Sequence, residues 1–308
     1  MRTKFRKFLP YLTFVFILVV GYLLYNNLSS IKWDEVGGAL SEVSSTMAGI
    51  AIALSALIYL LLASYDYLSF RYLKLKDVSY PEVLVRAFVC YAFNLNLGSL
   101  VGGLALRYRV YSGWKIDLDR IPYIIAFSTF TNWLGYCFIL SIMVTLQAEA
   151  IQGLIPFSTL WIRLTAGIIL LLIIWYFWIC YKQKSFQFRG ECWQMPTVSF
   201  ATIQLVWSSF QWTLQSFIIY LLLDSMGVSV SYYQILFTFM LSSFVAVFTH
   251  IPAGLGVLEV IFLRMGLGVP QSDLLVALII YRVAYYLVPL LAAVLIYFML
   301  EVHRRKNK

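Results

Sequence analysis

Eight apolar stretches, divided by short polar segments, set what this chain can become. Six are unbroken, at about 9–27, 47–70, 121–146, 160–181, 200–223 and 274–299. As helices rising about 1.5 Å per residue, they are long enough to cross roughly 30 Å of hydrocarbon. The other two, about 81–112 and 232–268, are interrupted near their middles by glycines. Of 308 residues, 62% are hydrophobic and 12% charged, too few polar groups to clothe a soluble domain. No polar stretch is long enough to fold outside the bilayer, so residues 1–308 read as a single membrane domain.

A net charge of +9 suggests nucleic acid only until the charges are placed. Arg2, Lys4, Arg6 and Lys7 open the chain. Arg71, Lys74 and Lys76 follow, then Arg107, Arg109, Lys115 and Arg120, then Lys182, Lys184 and Arg189, and finally Arg304, Arg305, Lys306 and Lys308. The intervening loops hold only Lys32, Arg163 and Arg264. The positive-inside rule puts the first set, and both termini, in the cytoplasm. The opening "MRTKFRKFLPYLTFVFILVVGYLLYNN" imitates a signal peptide, but its long apolar run ends in Asn-Asn, so we read a retained first helix. The stretch "WDEVGGALSEVSSTM" reads as a short amphipathic helix in the outer interface.

Charge placement constrains the two broken stretches. Both flanks of 81–112 are basic, whereas both flanks of 232–268 are nearly free of positive charge. Each would then enter the membrane, turn and leave by the same face, the first from inside and the second from outside. The plainer reading is a pair of ordinary spans joined by a tight loop. The hairpin reading gives an all-α polytopic membrane protein with about six transmembrane helices and two re-entrant helical hairpins. They form an inverted repeat, 1–150 with hairpin 81–112 and 151–308 with hairpin 232–268.

A backbone that turns inside hydrocarbon must have its polar groups satisfied by protein or water. Gly98, Gly102 and Gly103 mark the first tip, with Asn94 and Asn96 able to serve local backbone groups. Pro252, which lacks a donor, stops the incoming second arm, and Gly254 and Gly256 permit its turn. Close helix packing through small residues explains any single glycine as well. Asp66, Arg86, Arg107, Arg109, Glu259 and Arg282 lie in or beside membrane segments, at a cost of about 2.5–3.5 kcal/mol each unless partnered or wetted. A structural salt bridge, Glu259 with Arg282 or Arg107, is one reading. The other is a positive excess of three arginines poised for an anionic headgroup, whose phosphate fits the guanidinium fork. Asn132 in "TNWLGY" and Tyr286 beside Arg282, with Pro289 as a kink, complete the candidates for such a slot; ordinary packing explains the aromatics equally.

Cys90, Cys137 and Cys180 fall in apolar runs and Cys192 in a basic loop, without metal or disulfide spacing. With two histidines, His250 and His303, no metal cluster is expected, and no nucleophile–base set or phosphate loop indicates an enzyme or a cofactor.

"NLNLGSLVGGLALRYRVYSG", "TNWLGY", "HIPAGLGVLEV" and "YRVAYYLVPLL" resemble the lysylphosphatidylglycerol synthase transmembrane-region family over nearly the whole chain. The most specific element is the Pro-x-Gly-x-Gly-x-x-Glu tip at 252–259. The resemblance implies a flippase region with re-entrant hairpins at its site, with Arg107, Glu259 and Arg282 at the motif positions that contact or gate substrate. It also implies that synthase activity belongs to a cytoplasmic domain not found before Lys308. The expected function is an inner-membrane lipid transporter for an anionic or phosphate-bearing lipid. The alternatives are a polyprenyl-phosphate carrier and a non-transporting scaffold or regulator. A lipid-modifying enzyme finds no acid–base pair in support. The sequence is compatible with a homo-oligomer and calls for no nucleic acid.

Overall fold

The computed structural model describes residues 43–306 apart from 76–77, 115, 152–157, 189–190, 250–251 and 266. The first apolar run, most of the interfacial stretch 33–47 and His250 lie outside the described residues. Among the described residues, the regular structure is helical except for one small hairpin. Its helices are α1 (Ser45–Tyr72), α2 (Tyr80–Leu97), α3 (Leu106–Ser112), α4 (Ile121–Gln147), α5 (Thr159–Tyr181) and α6 (Val198–Ser225). Then come α7 (Tyr232–Thr249), α8 (Val257–Arg264), α9 (Gln271–Arg282) and α10 (Val288–Lys306).

The unbroken apolar runs within this region each become a helix; four match the hydropathy limits within about two residues, the scatter expected of helix termini, and the last runs on past 299 to Lys306. The last is continuous through a π-helical turn at Val283–Leu287 that joins α9 to α10. Among the described residues, four helices are long and apolar enough to cross a membrane: α1, α4, α5 and Gln271–Val302. α6 is 28 residues, about 42 Å, and has the length. It is missing from that set because Gln204, Ser208, Gln211 and Gln215 form a buried polar row at three-four spacing.

The all-α reading holds, with one small addition at 185–194. Ser185–Phe188 (β1) and Glu191–Gln194 (β2) pair antiparallel, Ser185 opposite Gln194 and Phe188 opposite Glu191. The segment lies between basic loop residues, where a charge count reveals the side of the membrane but hides the alternation of Ser-Phe-Gln-Phe.

Most buried apolar side chains form one core across α1, α2, α4, α6, α7, α9 and α10. Burying them is driven less by leaving water than by close packing, since the alternative solvent is equally apolar. Two helices approach closely where Gly135 of α4 meets α6: a Cβ there would lie 2.2 Å from Ser208 Oγ. α5 is peripheral, with Leu160, Trp161, Leu164, Ile168, Leu171, Trp175 and Trp178 outward, as a lipid-facing helix requires.

Both glycine-broken stretches fold back on themselves. α2 ends at Gly98, whose φ of 82° is open to glycine. The chain continues as a π-helical segment, Ser99–Ala105, that packs on α2 before α3 begins. Gly102 is fixed by that return: a Cβ would sit 2.2 Å from the Phe93 carbonyl oxygen. In the second reversal α7 is followed by a 3-10 turn, Pro252–Gly254, and α8 packs back on α7. Ala253 (φ 55°), Gly254 (φ 58°) and Gly256 (φ 78°) all hold left-handed backbone there.

Candidate functional site

The break before α8 leaves carbonyl groups that no helix can satisfy. Arg282, at the end of α9, satisfies them. Its Nη1 donates to the Ala253 carbonyl at 3.2 Å and its Nη2 to the Gly254 carbonyl at 3.1 Å. The same guanidinium grips Glu259, with Nε to Oε1 at 2.5 Å and Nη2 to Oε2 at 2.9 Å. Glu259 lies in the first turn of α8, where its charge also complements the helix N-terminus. Arginine's planar fork, with donors in fixed directions, is the side chain that can bridge a carboxylate and two carbonyls together. Arg282 is 6% exposed, so the ion pair and the carbonyl bonds offset a substantial desolvation cost.

A second buried carboxylate holds the first reversal. Asp66 of α1 is 0% exposed and receives Arg107 Nε on Oδ2 and Nη2 on Oδ1, both at 3.1 Å. Tyr91 donates to Oδ1 at 3.2 Å and Ser128 at 2.6 Å, while Tyr111 donates to Oδ2. Ser69 joins Ser128 at 2.9 Å. The guanidinium carbon of Arg107 also lies 4.5 Å from the centroid of the Tyr91 ring. Donors thus arrive from α2, α3 and α4 onto one group of α1, fastening the reversal to its neighbours.

The remaining candidates are dispersed. Asn96 and Tyr286 belong to a third repair of the backbone. Pro289 cannot donate to the carbonyl four residues earlier, that of Tyr285, which instead accepts from Tyr59 of α1 at 3.1 Å. Asn96 donates to the Tyr286 carbonyl at 3.3 Å and to Ala92 in its own helix at 2.8 Å. Arg109 is half-buried, bonded to Tyr297 at 2.6 Å and Glu301 at 3.0 Å. Arg86 lies apart from these pairs, 4.0 Å from the centroid of Trp114 and bonded to the Glu82 carbonyl. Asn94 contributes its carbonyl to Gly98 N–H, and Asn132 contributes its own to Trp212 Nε1 at 3.2 Å. Gly103 N–H reaches back to the Gly98 carbonyl at 3.4 Å.

The expected positive excess is corrected here. Arg107, Arg109 and Arg282 each hold a carboxylate of their own, Asp66, Glu301 and Glu259. Asp66 lies 41 residues before Arg107 and Glu301 lies 192 beyond Arg109, so linear proximity hid both pairs. The salt-bridge reading of Glu259 with Arg282 holds.

Sequence reasoning passed over Tyr59, Tyr111, Ser128 and the polar row of α6. In that row Gln204 donates to Thr131 at 2.6 Å and accepts from Tyr176 at 2.8 Å. Gln211 donates to Gln215 at 2.9 Å. Glutamine at positions 204, 211 and 215 of an apolar run, on one helical face, was the available signal. Cys90, Cys137 and Cys180 are free thiols, as their spacing implies.

Long apolar helices, two internal reversals and ion pairs set among them, one of them on broken backbone, define a polytopic helical membrane protein. The chain belongs to the lysylphosphatidylglycerol synthase transmembrane-region family, whose profile matches residues 11–293. It is 33% identical to the inner membrane protein YbhN of Escherichia coli K12, over 96% of this chain and 93% of that one. It is 28% identical to the protein slr0712 of Synechocystis, over 96% and 92%. The phosphatidylglycerol lysyltransferase of Staphylococcus haemolyticus is 25% identical over 92% of this chain, which spans 32% of that longer protein. The first likeness and the apolar helices together support a bacterial inner-membrane protein.

Proposed function

We propose that the protein is a lipid transporter that moves an anionic or phosphate-bearing lipid between leaflets, its two reversals acting as re-entrant hairpins of an inverted repeat. Element order supports the repeat: α1, reversal and α4 are followed by α6, reversal and α9–α10. Arm lengths support re-entry. The first return, the π-helical Ser99–Ala105 with α3, is fourteen residues, at most about 21 Å, and α8 is eight, about 12 Å, both short of the roughly 30 Å of hydrocarbon. Broken helices at depth are tolerated where protein or a wet cavity satisfies them, and such sites hold transported substrates.

The observation that carries the reading is the Arg282–Glu259 pair set on the carbonyls of the second break. A phosphate offers the same bidentate geometry as Glu259 and competes for the same fork. In this mechanism the headgroup displaces Glu259, the tip loosens from α9, and the pair re-forms when the lipid leaves. Arg107 and Asp66 play the matching part at the first reversal, while the acyl chains stay in the bilayer. The protein catalyses no covalent chemistry in this account.

The test is lipid movement between leaflets of proteoliposomes. Wild type is expected to be active, with Arg107→Ala and Glu259→Gln at least about tenfold slower, as loss of one charge-assisted contact implies. Full activity in both variants would remove those residues from the mechanism. Lipid accumulation in a deletion strain separates phospholipid from polyprenyl phosphate.

A non-transporting scaffold is the second reading, favoured by Asp66, whose oxygens already receive Arg107, Tyr91, Tyr111 and Ser128. It predicts that cysteines placed at 96 and 254 resist water-soluble reagents.

A further inference from the structure

A cavity of about 390 Å³ lies away from the buried ion pairs, where the C-terminal end of α1 meets the start of α6 and the β1–β2 hairpin. Arg71, Lys74, Arg120, Gln183, Thr197 and Phe200 are among its lining residues, and no described carboxylate is. Arg71 and Lys74 are exposed and make no ion pair with described residues, in contrast to Arg107, Arg109 and Arg282. Thr197 caps α6 by accepting from Phe200 N–H, so that the amino end of a 28-residue helix opens beside three cations.

Two details mark the cavity as built. Lys74 (φ 55°) and Gln183 (φ 50°) hold left-handed backbone, which costs about 1–2 kcal/mol for a residue other than glycine. Both follow the ends of long helices and both line the cavity, so a cation and an amide stand where glycine would relieve strain. Beneath them, Tyr72 stacks on Phe127 at 4.6 Å and Phe200 packs on Phe127 at 5.8 Å. The Tyr72 hydroxyl fixes β2 by donating to the Gln194 carbonyl at 2.7 Å. A cationic rim over an aromatic floor is the profile of a site for an amphiphile with a charged head.

We propose that this cavity docks the phosphate of an anionic lipid headgroup, held by Arg71, Lys74 and Arg120 with the lipid's first carbons on Tyr72 and Phe200, which pack on Phe127. The proposal stands apart from lipid movement, because occupancy is measured without any transport step. Binding of dioctanoyl phosphatidylglycerol, dioctanoyl phosphatidylcholine and inorganic phosphate to the detergent-purified protein is followed by thermophoresis.

Phosphatidylglycerol is expected to saturate, and its affinity to fall about tenfold in Lys74→Gly and further in Lys74→Gly with Arg71→Gln. Lys74→Gly suits the left-handed position, so its thermal midpoint should match or exceed wild type and loss of binding cannot be ascribed to unfolding. Unchanged affinity in the double variant overturns the site. Equal affinity for phosphatidylcholine overturns its preference for net anions, and inorganic phosphate binding as tightly as the lipid overturns the lipid as its source.

Discussion

Arg282 reaches across 23 residues to grip both oxygens of Glu259 while its remaining donors hold the carbonyls of Ala253 and Gly254. One side chain therefore neutralises a partly buried acid and closes a break in the backbone. The proline, the glycines and the glutamate of "HIPAGLGVLEV" form one device, in which the turn exposes carbonyls, the arginine serves them and the glutamate balances the arginine. A phosphate able to take the place of Glu259 would release the turn.

Breaking this device should be costly in one direction and mild in another. Arg282→Gln strands Glu259 and two carbonyls, with an expected loss of about 3 kcal/mol, the low end for a buried pair because Glu259 is 23% exposed. Arg282→Met with Glu259→Leu should lose less than the two single changes combined. Thermal unfolding in detergent gives the comparison; additive losses would mean the pair is not coupled.

The glycines of the first tip should differ from one another. Gly102→Ala drives a methyl into the Phe93 carbonyl and should cost about 3 kcal/mol or more. Gly98→Ala meets open space and pays only for its φ of 82°, about 1–2 kcal/mol. Unfolding midpoints should therefore fall further for Gly102→Ala, and the reverse order would contradict the packing of the returning segment.

Tyr59 and Pro289 should be coupled through the Tyr285 carbonyl. Tyr59→Phe leaves that oxygen without its described donor, at about 1–3 kcal/mol. Pro289→Ala restores an amide that can serve it, so Tyr59→Phe should cost less in that background. A double-mutant cycle on thermal stability reads the coupling, and equal costs in both backgrounds would exclude it.

The spans were legible because their signal is local: α1, α4, α5 and α6 follow from runs of apolar residues. The breaks were legible too, because proline and several glycines cluster there, whereas a single glycine such as Gly135 serves close helix packing. Pairing was not. Asp66 with Arg107 and Arg109 with Glu301 depend on how helices far apart in the chain come together, and hydropathy holds no record of that. The same limit applied to Tyr59, an unremarkable aromatic until Pro289 leaves a carbonyl beside it. The β1–β2 hairpin was hidden because charge counting treats its segment only as a loop.

The central claim, that both reversals turn back within the membrane, is tested most directly by labelling from each face. Single cysteines at Leu104 and Leu255, in a background with the native cysteines replaced, are exposed to a membrane-impermeant thiol reagent in right-side-out and inverted vesicles. The account predicts labelling near the first reversal only from the cytoplasmic face and near the second only from the opposite face. Labelling of either position from the far side would make these segments full crossings and contradict the account.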